Sequence, residues 1–301
     1  MPVLAISDQI LLTLFRRFPA RESIFKEPES RAPEEYASEN DPDSFVNHFE
    51  AFPGLFDGAD VLDLGSGFGG RTVKFLEYGA VSVVGLEVTD EMVRHGREFA
   101  ETRGVSDRVS FVLGTGERIP CPDESFDLIA MMDVMEHVVD PDQVLAECAR
   151  VLRPGGRLAL VFPPYYDLTQ GSHLHGYATR VPGLNLLFPT RTLRRATRKL
   201  VDEKGVDFDR FFRDIPTDKL PNQNGLTVRG FRRAVRESSL EADWIYCMGH
   251  LQYRRLRETG SLFGSAKAAY RAAQIAAELP ILQEATCSRI CAVLRKPRSG
   301  G

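Results

Sequence analysis

Val61-Leu62-Asp63-Leu64-Gly65-Ser66-Gly67-Phe68-Gly69-Gly70 sets an apolar run with one acid against four glycines within six positions. This order reads as a strand entering a tight turn and then a helix, because glycine tolerates positive φ and lets a ligand approach the backbone closely. Outward from it, strand patterns are predicted over 59–64, 81–87, 108–113, 126–132 and 157–162. Between them the spacing predicts helices over 69–78, 90–103 capped by Thr89, and 141–152 with Asp140 as N-cap and Pro141 at the first position. Arg153-Pro154-Gly155-Gly156 should end the last of these. Such alternation implies βαβ units and a parallel sheet with helices on both faces.

The regular alternation stops at Pro163-Pro164. Residues 163 to about 225, rich in aromatics, prolines and histidines, read as an insertion over the carboxyl edge of the sheet. A helix over 227–238, a strand over 242–248, a mostly helical segment and a final strand over 290–294 follow, making seven strands. Residues 1–57 read as a helical N-terminal extension, so the division is 1–57 and 58–301. The extension and the post-strand-five insertion are expected to form a lid.

The 301 residues, 43% hydrophobic and 27% charged, have the composition of a globular chain, and no apolar run approaches the ~20 residues of a spanning helix. Five scattered cysteines make a disulfide framework improbable and fit a cytoplasmic setting. Charge is unevenly divided: residues 1–189 hold 16 basic and 30 acidic side chains, residues 190–301 hold 22 and 12. The two portions should meet different partners.

Two cofactors compete for the glycine turn. Gly65, Gly67 and Gly70 fit a dinucleotide fingerprint, with Glu87 where a ribose-binding acid belongs. Asp63, two residues ahead of the first glycine, is unfavourable to a pyrophosphate but suits the ammonium and sulfonium of S-adenosylmethionine. The series Asp63-x-Gly65-x-Gly67-x-Gly69 resembles the first motif of the class I S-adenosylmethionine-dependent methyltransferases. The resemblance continues through Val84-Gly85-Leu86-Glu87, Ser125-Phe126-Asp127-Leu128-Ile129, Asp133-Val134-Met135-Glu136-His137-Val138 and Val151-Leu152-Arg153-Pro154-Gly155-Gly156, covering residues 59 to 163.

It implies a Rossmann-like, seven-stranded, mostly parallel sheet and S-adenosylmethionine as cofactor. Asp63 and Gly65 would position the methionine end, Gly67 and Gly69 would line the turn, Glu87 would accept both ribose hydroxyls and Val88 would pack on adenine. Where the family often has Gly-Asp-Ala, this chain has Gly114-Thr115-Gly116-Glu117, so Thr115, the Gly116 backbone and Glu117 stand in for the adenine contact. Asp133 is a further cofactor-side candidate.

Ligands of open α/β sheets lie outside the carboxyl ends of the strands, which directs attention to the segments after strands four and five. His137 is the general-base candidate after strand four, and His173, His175 and Tyr177 are the candidates after strand five. No cysteine or carboxylate accompanies His173 and His175 at ligand spacing, so no metal is expected. Arg191, Arg194, Arg195 and Arg198 recur at helical spacing, a solvated face or an attraction for an anionic or lipid-like substrate. Nucleic acid is disfavoured by the absence of a recognisable module and by the acidic remainder, and no stable membrane insertion is expected.

The expected activity is methylation of a small biosynthetic acceptor at oxygen, nitrogen or carbon. A lipid or carrier-bound acceptor is the alternative. An NAD-dependent dehydrogenase and a non-enzymatic S-adenosylmethionine-binding protein are the readings from other classes.

Overall fold

A computed structural model of the protein describes residues 6–20, 31–41, 44–167, 173–205, 208, 220, 223–249 and 282–298. Five strands, β1 (Asp60–Leu64), β2 (Ser82–Glu87), β3 (Val109–Leu113), β4 (Phe126–Met132) and β5 (Leu152–Phe162), run parallel. β6 (Glu241–Gly249) and β7 (Cys287–Arg295) complete one sheet in the order β3-β2-β1-β4-β5-β7-β6, with β7 antiparallel to both neighbours. The order reverses between β1 and β4, which opens a crevice at the carboxyl ends of these strands.

Side chains alternate across each strand, so the sheet is buried on both faces. Leu62, Leu64, Ile129, Met131, Leu158 and Leu160 face α5 (Pro141–Val151) and α9 (Val228–Glu237). Val61, Leu128, Ala130, Ala159 and Val161 face the other way, toward α3 (Gly70–Lys74) and α4 (Asp90–Thr102). Thr89 and Asp140 cap α4 and α5 as expected, the Asp140 carboxylate accepting from the amides of Asp142 and Gln143.

Two elements differ by four residues or more from their predicted extents. The helix after the glycine turn stops at Lys74, because i→i+3 bonds from Leu76 and Glu77 tighten the chain toward Gly79, which adopts φ +107°. β5 begins at Leu152, five residues early. Leu152 pairs with Phe126, and Gly155 and Gly156 exchange hydrogen bonds with Lys296, so Arg153-Pro154-Gly155-Gly156 belongs to the sheet. Of the segment expected to be helical between the last two strands, residues 250–281 lie outside those described, and Gln283–Thr286 is a short helix, α10.

The N-terminal extension divides in two. Phe45, Phe49 and Phe56 are buried with Phe75 in the core of the second sheet face, so residues 44–57 pack into the domain itself. α1 (Ile6–Arg17) instead joins α6 (Leu174–Tyr177), α7 (Leu184–Leu187) and α8 (Thr190–Glu203) in a separate apolar cluster built on Leu11, Phe15, Tyr177, Leu193 and Val201. Asp8, itself buried, receives Arg195, and Glu203 receives Arg16. No helix among the described residues is long and apolar enough to cross a membrane.

Leu160 is wholly buried in β5, an interior strand, whereas Val81 is 54% exposed. Leu160→Ala is expected to cost about 2–5 kcal/mol in urea unfolding and Val81→Ala no more than about 0.5 kcal/mol. Equal losses would show that the sheet core is not where the fold places it.

Candidate active site

The turn between β1 and α3 is held in a conformation that only glycine accepts readily. Gly65 and Gly67 have φ of +82° and +55°, and a Cβ on Gly65 would collide with Val134. Gly69 also has positive φ, but a Cβ there would strike Gly96 and Phe111, so its constraint is close packing against α4 and β3.

Carboxylates surround the turn and satisfy its amides. Glu87, at the end of β2, accepts from Gly67 N at 3.0 Å through one oxygen and from Val88 N at 2.7 Å through the other. Glu35, from α2 (Ala32–Ser38), accepts from Phe68 N at 3.2 Å and Gly70 N at 3.1 Å. Burial raises the carboxyl pKa of both, and the amide hydrogen bonds partly offset it. Asp63 lies beneath the turn, 1% exposed, accepting from Thr72 Oγ1 at 2.6 Å. Burial pushes its carboxyl up to about 6 against the opposing effects of Arg71 and the Thr72 hydroxyl. Arg71 in turn donates to Glu39. Asp63 therefore reaches a ligand above the turn through its field, with part of its charge already balanced.

Beside Glu87, the apolar side chains of Val88 and Leu113 stand 61% and 51% exposed at adjacent strand ends. Thr115 is exposed next to them and Gly116 is buried against Val144 and Leu64. Glu117 is turned elsewhere: its carboxylate accepts from Val139 N and Asp140 N, tying down the loop after β4. Asp133 ends β4 with φ +56° and is ion-paired to Arg289 of β7.

The loop after β4 carries Glu136 and His137, and the segment entering α6 brings His173 onto them. The two imidazole centroids are 4.9 Å apart, with His137 Nε2 3.7 Å and His173 Nε2 3.9 Å from Glu136 Oε1. Burial, with Asp133 nearby, pushes the Glu136 carboxyl well above the usual range. His137 and His173, alternatives in the sequence, thus belong to one cluster. Tyr177 does not join it. Its ring is 2% exposed in the apolar cluster of α1, α6, α7 and α8, where burial raises its hydroxyl pKa. The backbone of His175 lies in α6, and its side chain is outside the described set.

Several contributors carry no local sequence signal. Asn224 donates through Nδ2 to the carbonyls of Met135 and Val138 and through its backbone to that of Glu136, fixing the turn that presents Glu136 and His137. Arg289 and Glu35 likewise come from distant elements. A single acid in a predicted helix, such as Glu35, looks like any solvated residue.

An open, mostly parallel α/β sheet with a glycine turn and a strand-end acid at its carboxyl edge defines a Rossmann-like fold. Residues 62–160 match the family described as "Methyltransferase domain". The chain is 36% identical over 153 residues to methyltransferase GfsG of Streptomyces halstedii, covering 50% of this chain and 53% of that one. It is 39% identical over 110 residues to the ubiquinone/menaquinone biosynthesis C-methyltransferase UbiE of Hahella chejuensis, covering 36% and 44%. The chain thus spans about half the length of these curated relatives. In fold it resembles geranyl diphosphate C-methyltransferase from Streptomyces coelicolor A3(2), solved with Mg2+, geranyl diphosphate and S-adenosyl-L-homocysteine, at TM-score 0.52 and 13% identity over 97% and 99% of the two chains. Over residues 62–160 the chain is thus similar in sequence to methyltransferase domains.

Ionised Asp63 favours a cationic ligand, so the dissociation constant of S-adenosylmethionine should rise as pH falls through about 6, by at most about tenfold per pH unit. Affinity is full above that value because the carboxylate is then ionised before the ligand arrives. Calorimetry of wild type and Asp63→Asn between about pH 7.5 and about pH 5 checks this, the variant being expected to show a shallower dependence. Parallel profiles would remove Asp63 from the ligand's electrostatics.

Proposed function

We propose that this protein transfers a methyl group from S-adenosylmethionine to a small-molecule acceptor at oxygen, nitrogen or carbon. The observation that carries this is the ring of carboxylates at the glycine turn. The amides that a dinucleotide pyrophosphate would need are already taken by Glu35 and Glu87, and Asp63 lies beneath them. A phosphate dianion meets acids there, whereas a sulfonium and an ammonium are attracted.

In this reading Glu87 receives the ribose hydroxyls and Val88 with Leu113 forms the adenine platform. Thr115 and the Gly116 backbone meet the adenine edge, and Gly65 and Gly67 let the methionine portion lie against the turn. When bound, the cofactor supplies an electrophilic methyl group for in-line displacement. The acceptor side is the cluster of His137 and His173, which orients the acceptor and, for a hydroxyl, provides a path for its proton. The lid of α1 and α6 to α8 excludes water from the transfer. Cytoplasmic action fits the free thiols of all five cysteines.

A lipid or carrier-bound acceptor is the second reading. Leu186 and Leu187, 43% and 75% exposed, immediately precede the basic α8. Against it, Arg195 is engaged by Asp8, and Arg194 and Arg198 lie over the Phe208 ring. Much of the basic face is therefore used within the lid.

Calorimetry is expected to show S-adenosylmethionine and its demethylated product binding and NAD not binding. NAD binding without S-adenosylmethionine binding would overturn the proposal. Glu87→Ala should weaken cofactor binding by about 2–4 kcal/mol, and His137→Ala should leave it nearly unchanged. With a hydroxyl acceptor and saturating cofactor, His137→Ala and His173→Ala should each lower turnover by about 10²–10⁴-fold, read from transfer of a labelled methyl group. Wild-type rates in both would move the acceptor away from this cluster.

A further inference from the structure

Glu136, His137 and His173 present one oxygen and two imidazole nitrogens, all within 4.8 Å of one another, and they come from two segments that the fold brings together. Ligands at about 2.0–2.2 Å from a tetrahedral ion stand about 3.3–3.6 Å apart. The observed separations of 3.7 and 3.9 Å from Glu136 Oε1 are a few tenths of an ångström wider, within reach of small side-chain rotations.

A second observation points to the same place. The Glu136 side chain is 3% exposed, and among the described residues neither of its buried carboxylate oxygens has a hydrogen-bond partner. Burying an unsatisfied carboxyl is costly, so the arrangement is best explained by something that takes those lone pairs. Arg289, the cation that faces the same pocket, is already engaged by Asp133.

We infer that Glu136, His137 and His173 form a binding site for one divalent transition-metal cation of the zinc type. Two imidazoles and one carboxylate favour such an ion over Mg2+, which prefers oxygen ligands and near-ideal octahedral geometry. Three protein ligands leave a coordination position open. His137 is 38% exposed and sets the side from which an acceptor oxygen or nitrogen reaches that position. Coordination there lowers the pKa of a hydroxyl acceptor and fixes its lone pair, which specifies how the two histidines act on the acceptor. That part rests on the methyl-transfer reading, whereas cation binding itself does not.

The test uses the full chain stripped with a chelator, then titrated with Zn2+ against a chromophoric competitor and, separately, loaded with Co2+ for visible spectroscopy. One Zn2+ per chain is expected, with a d–d spectrum for the Co2+ form. His137→Ala and His173→Ala should each weaken Zn2+ binding by at least about tenfold, since losing a direct ligand exceeds the loss of an outer-shell partner. Glu136→Gln, nearly isosteric, should do the same while circular dichroism remains that of wild type. Absence of stoichiometric binding, or affinity unchanged in the histidine variants, overturns the site. S-adenosylmethionine calorimetry on the same samples separates the two ideas. Cofactor binding without cation uptake defeats the cation site alone, and cation uptake without cofactor binding supports the site and defeats the methyl-transfer reading.

Discussion

The arrangement depends on how the amides of one turn are satisfied. Where β1 becomes α3, the chain exposes backbone N–H groups that would ordinarily attract an anion. Here they are met by Glu87 from the neighbouring strand and Glu35 from the N-terminal extension. With its donors supplied internally and Asp63 beneath, the turn becomes a surface for a cation. The extension is also anchored on the second sheet face by Phe45, Phe49 and Phe56.

Opposite this turn the chain assembles a second set of groups by different means. Met135, Glu136 and Val138 have carbonyls held by Asn224, so the loop after β4 is shaped by a residue nearly ninety positions away. His173 enters at the head of α6 with φ +50°, an unusual backbone state for a non-glycine residue. The lid core of α1, α7 and α8 surrounds that segment. Strain at His173 is thus held by packing, as is common where a side chain must be aimed.

Much of this was legible locally. Asp63, Gly65, Gly67 and Glu87 announce themselves because turn geometry and strand-end placement are short-range properties. The caps at Thr89 and Asp140 were legible for the same reason. Arg153-Pro154-Gly155-Gly156 was misleading, since its proline and glycines look like a loop and its partners, Phe126 and Lys296, are remote. Glu117 and Tyr177 were plausible by position and chemistry, but each is committed elsewhere: Glu117 to the amides of Val139 and Asp140, Tyr177 to the lid core.

Periodicity and turn chemistry act over a few residues, so the parallel sheet, the glycine turn and the acid at the end of β2 could be read along the chain. Tertiary packing alone joins α1 to residues 174–201 in one apolar cluster, brings Glu35 onto the turn and sets His137 and His173 beside Glu136. Those relations join residues tens to hundreds of positions apart. They follow from burying two sheet faces and a lid core at once, and no local pattern encodes them.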